Sequence, residues 1–164
     1  MSVARLTHLQ PVPEPQTSAP VAFCSHCGRA PRPARHQSSR VCTHCELGLI
    51  LRADAELAPR PDEPFVVCDE GLLICALSGA AERVLAISEP AVIHRPLSDL
   101  LVAASEEERS DRTVDALVSN SARGLDDPGH AVVCPVETFG VRFSARIGTC
   151  GPPSAALVVL TETL

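Results

Sequence analysis

The chain contains no lysine, no tryptophan and no tyrosine, and only four phenylalanines in 164 residues. Each absence excludes something. Without lysine there is no Schiff-base anchor for pyridoxal phosphate, no P-loop amine for a nucleotide phosphate and no strand lysine for a kinase. With so few aromatics, the core must be aliphatic, built from Leu, Val, Ile and Ala. Long apolar runs are also missing. The first twenty residues, MSVARLTHLQPVPEPQTSAP, lack the continuous apolar stretch of a secretory signal, and no span approaches a membrane helix. The expected location is therefore a reducing cytoplasm, where close cysteine pairs indicate metal or redox chemistry rather than structural disulfides. There is no nucleophile–base pair, no open metal site and no phosphate loop in the sequence, so the expectation is a protein that is not an enzyme.

Charge is present but divided. Residues 1–60 carry seven Arg against four acids, a balance of +3, and residues 61–164 carry seven Arg against sixteen acids, a balance of −9. The acidic part is unsuited to nucleic acid. The first part is mildly basic, with its Arg residues gathered in one loop.

What the chain does have is cysteine, eight in all, and four of them fall in two tight pairs. Cys24-Ser-His-Cys27 and Cys42-Thr-His-Cys45 repeat one small unit across a loop of 14 residues. A Cys-x-x-Cys turn presents two thiolates to one ion, and two such turns complete a closed tetrahedron of soft donors. The reading is a structural zinc ribbon with Cys24, Cys27, Cys42 and Cys45 as ligands. Sequence alone leaves iron open as the alternative metal. A redox dithiol would occur once and beside a βαβ unit, which does not hold here. Gly28 follows the first pair and lets the knuckle turn. His26 and His44 precede the second Cys of each pair, the wrong order for covalent haem. With four protein ligands no coordination position is left open for catalysis. Between the pairs lie Arg29, Arg32, Arg35 and Arg40. These are candidate phosphate contacts for a nucleic acid, but no aromatic side chain is interleaved for stacking, and a solvated loop stiffened by Pro31 and Pro33 is the favoured reading.

Along the chain, residues 1–22 read as a disordered tail rich in Pro, residues 23–51 as the ribbon, and residues 52–63 as a linker or short helix. Residues 64–164 read as the main domain. Phe65–Cys68 and Leu72–Leu77 form a hairpin around Asp69-Glu70-Gly71. Ser78 caps a helix with Ala81, Val84 and Leu85 on one face. Residues 88–104 read as short, irregular helix. Ser105 and Glu108 make a capping box for a helix striped by Val114, Leu117 and Val118 and ended by Gly124. Three strands then close the chain, in 130–139, 141–150 and 154–163. The fold class is α+β with an antiparallel sheet.

The order of these elements, with Asp69 closing a strand, "AAERVL" on the first helix and "VIHRPLSDLL" after it, resembles a PAS domain over about 100 residues. A zinc ribbon placed before it also resembles a group of actinobacterial proteins. The resemblance implies a five-stranded antiparallel sheet with helices on one face. A cavity between them would be lined by Leu73, Cys75, Val84, Leu85, Ile93, Leu97, Leu100, Leu117 and Phe143, and aliphatic side chains are expected to fill it. The flavin-bonding motif and the haem-ligating His of subgroups of that family have no counterpart here, so neither flavin nor haem is expected. The implied role is a cytoplasmic sensory or protein-interaction module that forms a homodimer and passes its signal to a separate partner protein, with no membrane involved. The alternative is a transcription-associated regulator that contacts nucleic acid or the transcription machinery through the ribbon.

Overall fold

The computed structural model describes residues 19–32, 40–104, 114–125, 127–138 and 140–163. Eight strands, Val21–Cys24 (β1), Ile50–Ala53 (β2), Phe65–Cys68 (β3), Ile74–Leu77 (β4), Leu101–Ala103 (β5), Gly129–Pro135 (β6), Phe143–Gly151 (β7) and Ala155–Glu162 (β8), form one antiparallel sheet. Its centre runs β4-β3-β8-β7-β6, with β5 beyond β6. One edge of β7 is shared. Phe143–Ile147 pair with β6, whereas Cys150 and Gly151 pair with Ala53 and Arg52 of β2. Three helices, Gly79–Leu85 (α1), Glu89–Val92 (α2) and Val114–Ala122 (α3), and a 3-10 turn at Leu97–Asp99 complete the described fold.

The local choices follow the sequence. The Asp69 carboxylate accepts from the amides of Gly71 and Leu73, both at 2.9 Å, and closes the β3–β4 turn. Ser78 caps α1: its Oγ accepts from Ala81 N at 3.1 Å and also from Phe65 N at 2.9 Å, which ties the helix start to β3. Gly124, at φ +67°, ends α3. Val114, Leu117 and Val118 are buried as the stripe requires. The capping box at Ser105 and Glu108 lies outside the described residues.

The sheet carries an apolar layer on each face. On one, Val66, Ile74, Leu77, Ala145, Ile147, Val158 and Leu160 pack with α1, α2 and α3 through Leu85, Val92, Leu117 and Val118. On the other, Phe65, Val67, Leu157 and Val159 pack with Phe23, Leu51, Ala53 and Leu57. Two expectations change here. The sheet has eight strands rather than five, because β2 continues the ribbon hairpin onto β7 and because Leu101–Ala103, read as the tail of an irregular helix, pairs with Val133–Pro135. The segment after β2 also packs. Asp54 O accepts from Leu57 N and Ala58 N at 3.0 and 2.8 Å, and the resulting turn buries Leu57 on the sheet.

Candidate metal centre

The two Cys-x-x-Cys turns face one another across the β1–β2 hairpin. Cys24 ends β1 and pairs with Ile50, and Val41 bridges to Leu49. Each turn closes on itself: Gly28 N donates to Cys24 O at 3.0 Å, and Glu46 N donates to Cys42 O at 3.0 Å. Two hydrogen bonds lace the turns together: Ser25 N donates to Leu49 O at 2.8 Å and Leu49 N donates to the buried Ser25 Oγ at 3.0 Å. Within the second turn, Cys42 N donates to Gly48 O at 2.8 Å.

This lacing brings four sulfurs together. The Sγ atoms of Cys24, Cys27, Cys42 and Cys45 all lie within 4.8 Å of one another. Cys24 and Cys45 approach to 3.6 Å and Cys27 and Cys42 to 3.8 Å. A zinc tetrahedron with bonds of about 2.3 Å has sulfur–sulfur edges of about 3.8 Å, so the cage has the size such an ion needs. Backbone amides point at the sulfurs: His26 N and Cys27 N lie 3.4 Å from Cys24 Sγ, and His44 N lies 3.3 Å from Cys42 Sγ. Such donors stabilise thiolates. Burial pushes the Cys24 and Cys27 thiols up. Burial acts the same way at Cys45, but the Gly48 and Leu47 amides and the Cys24 and Cys42 thiols outweigh it and bring this group down to about 6. A cation entering the cage would displace the protons from Cys24 and Cys27. The four thiols thus form a site that fits a metal ion such as zinc.

Two glycines shape the cage, and the sequence pattern marks only Gly28. Gly28 has φ +70°, and a Cβ there would sit 3.2 Å from Arg60 O and 3.5 Å from the Phe65 ring. The matching position of the second turn is Glu46, which holds φ 59° without being glycine. Gly48 is the second. A Cβ there would collide with Cys24 Sγ and come within 2.7 Å of His26 N. The only sequence signal for its role is a glycine three residues after the last ligand.

His26 and His44 stand beside the cage. His26 O accepts from Gly79 N at 2.9 Å, and a Cβ on Gly79 would lie 3.4 Å from His26 Nε2, so this imidazole rests on the start of α1. Its Nδ1 has no hydrogen-bond partner and lies 3.9 Å from Glu89 Oε2. Both histidines line a pocket of about 240 Å³, together with Arg29, Asp62, Glu63 and Arg83.

The other candidates separate. Arg29 and Arg32 are exposed, Arg35 lies outside the described residues, and the Arg40 guanidinium donates to Pro152 O across to the β7–β8 turn. Of the proposed cavity lining, Leu85, Leu97, Leu100, Leu117 and Phe143 are buried in the core, and Ile93 packs against it. Leu73 is half-buried and bridges to Pro96. Cys75 and Val84 do not face the interior. Cys75 falls at a register shift between β3 and β4 that leaves it exposed, and Val84 sits on the outer side of α1 with 48% of its surface exposed. Cys68 and Cys150 are buried, and burial raises both thiols, Cys150 to about 12. No described helix is long and apolar enough to cross a membrane. No family model matches the chain, and no curated protein matches it.

Proposed function

We propose that this chain is a zinc-binding sensory or protein-interaction module with a PAS-like domain, rather than an enzyme. The observation that carries the reading is the arrangement β4-β3-β8-β7-β6 with helices packed against one face, placed behind a cage of four thiols. A closed tetrathiolate site leaves an ion no free position for substrate, so its role is structural. The helix side of the sheet is packed with Leu, Val, Ile and Phe143, which suits a protein-interaction role better than a large ligand chamber. Self-association into a homodimer and signalling to a separate partner protein in the cytoplasm belong to the same proposal. The nucleic-acid reading has less support: Arg29, Arg32 and Arg40 are the exposed cations of that loop among the described residues, and the Arg40 guanidinium donates to Pro152 O.

Native mass spectrometry of the full chain, purified from its own host, tests the proposal. The expected result is one zinc per chain and a dimer mass. A strictly monomeric protein, or one that turns over a common class of small substrate, would count against it.

A further inference from the structure

The ribbon has almost no apolar interior of its own. Among the described residues between β1 and Leu51, the only buried hydrophobic side chains after Phe23 are Cys24 and Cys42, which are themselves members of the thiol cage. Segments this poor in buried apolar surface do not order themselves without a staple. Yet this hairpin is what covers the outer face of the sheet. Phe23 meets Phe65 edge-on with ring centroids 5.7 Å apart. Leu51 and Ala53 lie with Val67, Leu157 and Val159 in the same apolar layer. The first cysteine turn is seated directly on the main domain, with Gly28 against Arg60 O and the Phe65 ring, and His26 O on Gly79 N.

The main domain, by contrast, has an independent core on the opposite face, built from β3, β4, β6, β7, β8 and the helices. Among the described residues, two pairs, Arg52↔Gly151 and Ala53↔Cys150, join the ribbon hairpin to the central sheet by strand pairing. One part of the molecule thus has little buried apolar surface beside its cage, the other has a core of its own, and the boundary between them is an apolar surface.

We infer that the bound metal is itself a cue: the ion holds the ribbon as a removable cover on the outer sheet face, and its loss uncovers Phe65, Val67, Leu157 and Val159 while the rest of the sheet stays folded. This rests on the metal-centre reading proposed above and adds to it what the centre regulates. The two states differ in a property that a partner can read, the exposure of a contiguous apolar surface. Metal binding shifts the balance between them because it favours the covered state alone.

The test uses the full chain, loaded with one equivalent of zinc and then stripped with a chelator under reducing conditions. Hydrogen exchange is followed at the amides of β1 and β2 and, separately, at Ile147 and Val158 in the core. Binding of a dye specific for apolar surface is followed in parallel. Stripping should accelerate exchange in β1 and β2 at least tenfold, leave Ile147 and Val158 protected and raise dye fluorescence several-fold, and added zinc should reverse all three. Persistent protection of β1 and β2 in the stripped protein would show that the hairpin stays docked without the ion and would overturn the inference alone. Loss of protection at Ile147 and Val158 in the same step would overturn it too, because the molecule would then have no separable cover. A folded chain that takes up no metal would overturn both this inference and the metal centre beneath it.

Discussion

At the scale of single residues, the cage is held by close backbone approach as much as by its sulfurs. Gly48 shows this. Any side chain there strikes Cys24 Sγ and the His26 backbone, neither of which is the free end of a flexible group. Gly48→Ala should lower zinc affinity at least tenfold, on the order of the 1.4 kcal/mol that one decade represents, in a competition titration with a chromophoric chelator. Glu46 offers the opposite case. It holds a left-handed backbone at φ 59°, the conformation that Gly28 supplies to the first turn. Glu46→Gly should therefore leave affinity intact and raise stability by about 0.5–1 kcal/mol, read from denaturant unfolding of the loaded protein. The clustering of the four cysteines was legible in the sequence because the spacing of two Cys-x-x-Cys turns suits a shared site. Gly48 was not, because the neighbour it makes room for is 24 residues away in the chain.

At the scale of elements, legibility followed how locally each one is determined. The hairpin at Asp69, the cap at Ser78 and the last three strands are written in turn and capping chemistry, and the structure shows them where the sequence places them. Strand β5 was misread, because Leu101–Ala103 is an ordinary apolar triplet whose extended form comes from pairing with Val133–Pro135. Val84 departs from its expected place because a seven-residue helix defines its buried face loosely: α1 turns Ala81 and Leu85 inward as expected, with Ala80 beside them in place of Val84. Ser78 carries more than a cap. Its buried hydroxyl also receives the Phe65 amide, so Ser78→Ala strands two donors, one of them at the start of a buried strand. The expected cost is about 2 kcal/mol, measurable as a lower urea midpoint at unchanged m-value.

At the scale of the whole molecule, two strands carry the mark of a sheet covered on both faces. Phe65–Cys68 and Ala155–Leu160 are continuous apolar runs, not alternations, and continuous runs belong to strands covered on both sides. The second cover is the ribbon, which lies on the sheet instead of standing apart from it at the end of a spacer. The division of charge does not foretell this, since the surfaces that meet are apolar: Phe23, Leu51 and Leu57 on one side, Phe65, Leu157 and Val159 on the other. On the proposal made above, metal, ribbon and sheet would act as one mechanical chain, and the account depends most on its first link. X-ray absorption at the zinc edge of the loaded protein examines that link directly. We expect four sulfur scatterers at about 2.3 Å. A shell containing nitrogen from His26 or His44, or fewer than four sulfurs, would contradict the account.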